Sequence, residues 1–157
     1  GMGDALEIAT FVKTIVDTNA SASVALPVIL FLVAIFLSFS TGTSWGTFAI
    51  LVPIAVAMFP GTDSMQMMII AVSAVLSGAV CGDHISPISD TTVMSSAGAQ
   101  SNHINHVTTQ MQYAAVVAVV SAVGFLFAGF VHVWWIVLGV SLILLLAVLT
   151  VLRKVTK

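Results

Sequence analysis

An eight-residue polar segment, residues 83–90, interrupts an otherwise apolar part of the chain, directly after a long run that ends at Cys81. The segment contains two carboxylates, an imidazole, two serines and a proline. An Asp at the centre of a membrane helix costs about 2.5–3.5 kcal/mol on insertion scales. A chain that places two of them beside a helix-breaking proline is therefore expected to bind an ion with them.

The composition indicates that the lipid bilayer is the solvent of this chain. Hydrophobic residues make up 59% of it and charged residues only 6%, whereas about 25% of residues in soluble domains are charged. We therefore expect an all-α integral membrane fold. The net charge of -2 offers no basic surface for nucleic acid. Cys81 is the only cysteine, so an intrachain disulfide is impossible.

Residues 24–59 are expected to form a re-entrant helical hairpin. Two apolar runs, 24–39 and 48–59, flank a polar, glycine-containing tip at 40–46. Each run is shorter than the ~20 residues of a comfortable span, and together they are too long for one span. Residues 1–23 mix apolar and charged side chains. They are expected to form an interfacial segment or the end of a preceding helix.

Residues 64–100 are expected to form a discontinuous transmembrane helix that is broken at 82–89. Proline and several polar residues at the break favour an irregular backbone there. A half-helix from about residue 91 to 99 follows, and Ser89 or Asp90 is placed to cap it.

Two full transmembrane spans are expected at 107–131 and 133–152, after a polar connection at 100–106. The tryptophan pair at 134–135 indicates an aromatic belt at one membrane surface. Three of the four Lys and Arg residues lie in the tail at 153–157. The positive-inside rule therefore places the C-terminus in the cytoplasm, in a multi-pass protein of the cell (inner) membrane.

The two helix interruptions together predict an ion site. Discontinuous helices expose backbone carbonyls and half-helix ends near the membrane midplane, where they coordinate ions. Irregular backbone survives there only if protein buries it or it lines a cavity. A hard cation such as Na⁺ prefers oxygen ligands. The candidate residues for binding sodium and protons are Asp83, Asp90, His84, Ser86, Ser89, Thr91, Thr41, Thr43 and Ser44.

Asp83 and Asp90 are the expected sodium ligands and proton carriers. A carboxylate held away from water gains little from binding a proton and a sodium ion together. Competition between the two ions at one site couples their fluxes without a covalent step. No nucleophile–base arrangement typical of a hydrolase is present, so we expect a transporter and not an enzyme.

Several of these side chains also have purely structural interpretations. Asp90 is suited to be a helix N-cap, Asp83 to end a helix at the membrane surface, and His84 to hydrogen-bond the loop. His103 and His106, three residues apart, are expected in a solvated cytoplasmic turn, although that spacing also suits a metal. The spacing of Cys81, Asp83 and His84 is too compact for a usual zinc site.

Three stretches of the chain resemble the C-terminal half of the NhaC-type sodium/proton antiporter family. They are TGTSWGT at 41–47, GDHISPISDTT at 82–92 and HINHVTTQ at 103–110. The resemblance implies a member of the wider ion-transporter superfamily, in which re-entrant hairpins and broken helices form two inverted repeats. By this resemblance, the family's signature covers Asp83, His84, Ser86 and Asp90 in the second stretch. Its hairpin signature covers Thr41, Thr43 and Ser44 in the first. Ile85 stands where many relatives have a cysteine, which leaves the oxygen ligands unchanged.

The same resemblance implies partners and transported ions. Family members are considerably longer, so the chain is expected to be a half or fragment whose partner is a missing N-terminal half. The lipid bilayer surrounds both, and a homodimer is a further alternative. Na⁺ and H⁺ are then the transported ions, and no other cofactor is expected.

Two rival functions remain beside sodium/proton exchange. Relatives also exchange organic acids such as malate and lactate, or amino acids, with sodium or protons. Such substrates carry carboxylates, and no Lys or Arg lies between residues 14 and 152 to meet them. The other rival is a non-transporting, metal-binding membrane subunit that uses His84, His103 and His106.

Overall fold

A computed structural model describes residues 20–59, 65–131 and 133–155, and every regular element among them is an α-helix. This confirms the all-α class for the described part of the chain. The helices are α1 (Ala20–Thr41), α2 (Ser44–Ala57), α3 (Met65–Ile85), α4 (Asp90–Gly98), α5 (His103–Phe130) and α6 (Trp134–Val155).

Four of these helices are long and apolar enough to cross a membrane. They are α1, α3, α5 and α6, whereas α2 has 14 residues and α4 has 9. The sequence predicted two short arms around the first polar tip. That is wrong for α1, because its 22 residues reach the length of a full span. The re-entrant hairpin and the inverted repeat remain predictions.

The helix boundaries differ from the expected ones in three places. Residues 1–19 lie outside the described part of the chain, but residues 20–23, expected to precede the hairpin, belong to α1. Helix α5 begins at His103, so the polar connection after α4 is shorter than predicted. Arg153 and Lys154 lie in the last turn of α6 and not in a separate tail.

Small residues let α1 and α3 approach each other closely. A Cβ atom on Gly78 would collide with the backbone carbonyl oxygen of Phe31, and one on Gly82 would collide with that of Ile35. Small residues four apart are typical of membrane helices whose backbones touch. The Ser38 hydroxyl also donates a 2.6 Å hydrogen bond to the carbonyl of Ala79, across the same interface.

The core lies where α1 and α2 pack on α3. Its buried side chains come from all three helices, so the residues on both sides of the first interruption share one packed unit with α3. The apolar members of this core are Leu26, Leu30, Ala34, Leu51, Ala55, Met58, Phe59, Ala71, Val75 and Ala79.

Helix α6 lies at the periphery and packs against α5. None of the residues of its membrane-length stretch, Trp135–Lys154, is buried within the described part of the chain. Large side chains such as Ile143 and Leu146 are exposed on it. Such a surface suits contact with lipid tails, which are as apolar as leucine.

Candidate ion-binding site at two helix interruptions

The first interruption is a two-residue turn between α1 and α2. Gly42 has a φ of +68°, a left-handed conformation that side-chain-bearing residues rarely adopt. Its N–H still donates to the carbonyl of Ser38 at 2.8 Å, which ends α1. Thr43 then turns extended, with a φ of -145°, and its hydroxyl accepts from the N–H of Gly46. A glycine followed by a threonine N-cap thus starts a new helix within two residues.

The second interruption, residues 86–89, separates α3 from α4. The α-conformation is disfavoured for a residue before proline, so Ser86 cannot easily continue α3 into Pro87. Its N–H bonds to the carbonyl of Asp83 at 3.2 Å in a tight turn. Ser89 is extended and occupies the N-cap position of α4, but its side chain makes no capping hydrogen bond.

The two interruptions contact each other directly. A Cβ atom on Gly42 would lie 2.8 Å from the Cγ1 atom of Ile88 and 3.0 Å from its carbonyl oxygen. The hydroxyl of Ser86 donates to the carbonyl of Phe39, near the end of α1, at 2.8 Å. Residues close to 42 and residues close to 88 therefore form one site.

Asp83 is the charged group at the centre of this site. It is only 7% exposed. Its Oδ2 accepts from the Ser44 hydroxyl at 3.1 Å, and its Oδ1 accepts from the Ser89 hydroxyl at 2.6 Å. A buried carboxylate needs such partners, because an unpaired charge away from water is strongly unfavourable. The first turn of α2 and the start of α4 each supply one.

The structure brings together four of the predicted site residues, and Ser86 lies in the same buried unit. The four are Asp83, Ser44, Ser89 and Thr91. Ser44 and Ser89 contact the Asp83 carboxylate, and the Thr91 hydroxyl lies 2.8 Å from the Ser89 hydroxyl. Ser86 is fully buried within the same unit, although its hydroxyl bonds to a backbone carbonyl. These contacts join residues from both predicted interruptions.

The other predicted residues make no hydrogen bond to the carboxylate of Asp83. Asp90 is exposed in the first turn of α4, one residue after the N-cap position. His84 is exposed, with Nδ1 3.0 Å from the carbonyl of Val80 in its own helix. Thr41 is exposed and donates to its own helix. Thr43 acts as the N-cap of α2, and no hydrogen bond joins it to Asp83.

His103 is a correction to the sequence analysis. The expected solvated turn is wrong for this residue, because it starts α5 and both of its ring nitrogens have partners. Nε2 lies 2.7 Å from the carbonyl of Pro87, and Nδ1 lies 2.9 Å from the hydroxyl of Ser96. His103 therefore fastens α5 and α4 to the second interruption. The Nε2 atom of His106 is buried and has no hydrogen-bond partner in the described structure.

The described residues do not support a zinc site. Across residues 20–59, 65–131 and 133–155, no group of three or more His, Cys, Asp or Glu side chains is arranged to hold a metal ion. Nδ1 of His84 faces a carbonyl oxygen instead. Both ring nitrogens of His103 face carbonyl or hydroxyl oxygens.

Ser38 is a buried polar residue that the sequence analysis missed. It is fully buried and fastens α1 to α3 through the carbonyl of Ala79, one helical turn before Asp83. A single hydroxyl inside the apolar run that leads to the first interruption is the signal that points to it. Ala34, one turn earlier, is fully buried on the same face.

The arrangement suits either a proton or a cation at Asp83. A serine hydroxyl carries one hydrogen and two lone pairs, and it can rotate. The hydroxyls of Ser44 and Ser89 donate to the carboxylate in this structure. After rotation, their lone pairs can join the carboxylate oxygens as ligands for a hard cation.

The fold and the site define a multi-pass helical membrane protein that holds an ionisable group inside its helix packing. Such groups are costly in membranes and mark ion or proton pathways. The chain belongs to the Na⁺/H⁺ antiporter family, whose sequence profile matches residues 2–130. The resemblance noted in the sequence is thereby confirmed, and the family is one of transporters.

Two relatives show how much of a longer protein these residues correspond to. One is an uncharacterized protein of Haemophilus influenzae, 54% identical over 107 residues, which are 68% of this chain and 20% of that protein. The other is a malate-2H⁺/Na⁺-lactate antiporter of Bacillus subtilis, 32% identical over 97 residues, 61% of this chain and 20% of that protein. The match spans about a fifth of the length of each. No solved structure matches the chain.

Proposed function

We propose that these residues belong to a secondary active transporter that exchanges sodium for protons, with Asp83 as the shared binding group. The observation that supports this most strongly is the buried carboxylate with one hydroxyl on each oxygen. The hydroxyls come from Ser44 and Ser89, on opposite interruptions. The surroundings of the Asp83 carboxylate therefore depend on the relative position of the two interruptions.

The exchange follows from what the carboxylate can hold. Without an ion, the negative charge of Asp83 is stabilised by the two donated hydrogen bonds. A sodium ion satisfies the same charge if the hydroxyls of Ser44 and Ser89 rotate and offer oxygen lone pairs. A proton on the carboxylate removes the charge and with it the attraction for sodium. Each ion therefore displaces the other.

Asp90 has a different role in this proposal. Its exposed position in the first turn of α4 places a negative charge near the site but outside the hydrogen bonds around Asp83. A nearby charge of one sign raises the local concentration of oppositely charged ions. We assign Asp90 to attracting sodium towards the site and, as the sequence suggests, to binding it there transiently.

A second candidate is exchange that involves an organic acid. The observation in its favour is the 32% identity with the malate-2H⁺/Na⁺-lactate antiporter of Bacillus subtilis. Against it stands the lack of any Lys or Arg between residues 14 and 152. The N-terminal ends of α2 and α4 are alternative places for a substrate carboxylate, since helix N-termini favour anions. The negative charge of Asp90 makes the N-terminal end of α4 less favourable for a substrate carboxylate.

The proposal is tested with the full-length protein in sealed vesicles that contain a pH-sensitive dye. A sodium gradient should drive a proton flux in the wild type, and Asp83→Asn should abolish that flux. Asp90→Asn should require more sodium for half-maximal flux while keeping exchange. Replacing sodium with a malate or lactate gradient tests the second candidate. Unchanged sodium-driven flux in Asp83→Asn would refute the proposed role.

A further inference from the structure

The hydrogen bonds around Asp83 continue outward on one side only. Ser89 Oγ lies 2.6 Å from Asp83 Oδ1 and 2.8 Å from Thr91 Oγ1. Both distances are within the usual range of O–H···O hydrogen bonds. Ser89 is 1% exposed, whereas Thr91 lies on the surface of the chain. Two hydroxyl oxygens therefore connect the buried carboxylate with the surface of the described part of the chain.

Counting hydrogens shows which group donates in each of these hydrogen bonds. A serine hydroxyl has one hydrogen, and that of Ser89 is donated to the Asp83 carboxylate. The hydrogen between Ser89 and Thr91 must therefore come from Thr91. The donors run from Thr91 to Ser89 to Asp83, which is the direction in which a proton would move inward.

The Ser89 side chain also lacks the hydrogen bond that is usual for its position. A serine at a helix N-cap normally accepts a hydrogen bond from a backbone N–H of the first turn. No such bond is made by the Ser89 side chain. Its lone pairs therefore remain available to Thr91. Ser44, on the other carboxylate oxygen, makes no hydrogen bond to a further hydroxyl among the described residues.

We propose that Thr91 and Ser89 form the path by which protons reach and leave Asp83. This inference rests on the proposed sodium/proton exchange. A hydronium ion transfers a proton to Thr91 Oγ1 as the Thr91 hydrogen passes to Ser89 Oγ and the Ser89 hydrogen passes to Asp83 Oδ1. Water, two hydroxyls and a neutral carboxyl group result, so no oxidant or other reactant is needed. Rotation of the hydroxyls then restores the starting direction, and release follows the reverse order.

If protons follow this path, Thr91→Val should impair proton transfer much more than sodium binding. This change keeps the shape of the side chain, removes its hydroxyl and leaves Ser44, Ser89 and Asp83 in place. Positioned proton-transfer groups typically contribute ~10²–10⁴-fold to rates. Because water can replace part of the path, we expect sodium-driven proton flux to fall about tenfold or more. Exchange of ²²Na⁺ for Na⁺ at equal pH on both sides needs no proton and should fall far less than the proton flux.

Two variants complete the experiment, which uses the full-length protein in vesicles. Thr91→Ser restores a hydroxyl and should restore the proton flux. Thr108→Val makes the same change at an exposed threonine that bonds only within α5, and it should alter neither flux. If Thr91→Val fails to fold, Thr91→Ala carries the same prediction.

The outcomes distinguish the path from the proposed function. Equal loss of both fluxes in Thr91→Val, or no loss of proton flux, would overturn the path while the wild type still exchanged sodium for protons. A wild type without sodium-driven proton flux would overturn the proposed function and the path together. Selective loss of proton flux, with rescue by Thr91→Ser, would support the path.

Discussion

Ser44 and Asp83 stand 39 positions apart in the sequence, and a 3.1 Å hydrogen bond between their side chains joins the first turn of α2 to the last turn of α3. Both residues are buried. The bond therefore depends on how α1, α2 and α3 pack together. Any movement of one interruption relative to the other changes the surroundings of the carboxylate.

Ser44→Ala should weaken sodium binding because it removes a proposed cation ligand. The hydrogen bond that Ser44 donates stabilises the sodium-free carboxylate, so its loss offsets part of this effect. We expect the sodium concentration for half-maximal flux to rise about fivefold, roughly 1 kcal/mol. The matched control is Ser40→Ala, since the Ser40 hydroxyl is exposed and bonds to its own helix. Equal sodium dependence in the two variants would contradict the assigned role of Ser44.

Gly42→Ala should destabilise the contact between the two interruptions. A left-handed conformation costs about 1–2 kcal/mol for a residue with a side chain, and the added Cβ would also crowd Ile88. We expect a lower thermal unfolding midpoint in detergent and slower exchange. Gly139→Ala is the control, because nothing lies within 4 Å of a Cβ there. It should be neutral or stabilising by about 0.5–1 kcal/mol, since glycine disfavours helix interiors. Similar midpoints for both variants would argue against this packing.

His103→Ala should loosen the second interruption by leaving the carbonyl of Pro87 without its partner. Losing a partner costs a fully buried polar group about 1–3 kcal/mol, and this half-buried contact should lie at the lower end of that range. We expect a lower unfolding midpoint together with weaker sodium binding, because the interruption also carries Ser89. His106→Ala is the control at the same end of α5, since the Nε2 atom of His106 has no partner in the described structure. A larger loss in His106→Ala than in His103→Ala would contradict the assignment.

Ser38→Ala should weaken the interface between α1 and α3. Hydrogen bonds between membrane helices average about 0.6 kcal/mol in double-mutant cycles, and this 2.6 Å bond is fully buried. We expect the free energy of unfolding to fall by about 0.5–1.5 kcal/mol. Ser73→Ala removes an exposed hydroxyl that bonds within α3, and its effect should stay within about 0.5 kcal/mol. Denaturant titration in mixed micelles measures both changes.

The positions of the helix interruptions follow from local chemistry and were predictable. Gly42 permits the left-handed turn and Thr43 starts the next helix, while Pro87 disfavours continuing α3. The length of α1 was not predictable in this way. Residues 1–23 were expected to form an interfacial segment or the end of a preceding helix, but residues 20–23 belong to α1, because local propensity is a weak guide to where a helix begins.

The identity of the central carboxylate depends on long-range packing. The sequence presents Asp83 and Asp90 as equivalent acids around one proline, yet Asp83 is buried and Asp90 is exposed. The difference arises because Asp83 lies on the buried face of α3, one turn after Ala79, where Ser44 of α2 contacts it. His103 was misjudged for a related reason: its polar neighbours suggested solvent, but its ring packs back onto the second interruption.

Binding of ²²Na⁺ to the purified full-length protein at several pH values tests the shared site most directly. If the proton and sodium compete for Asp83, lower pH should raise the apparent Kd for sodium while the number of sodium ions bound at saturation stays constant. Asp83→Asn should lose this pH-dependent binding and keep only the weak, transient binding assigned to Asp90. An apparent Kd that does not change with pH, or sodium binding in Asp83→Asn as tight as in the wild type, would contradict the account.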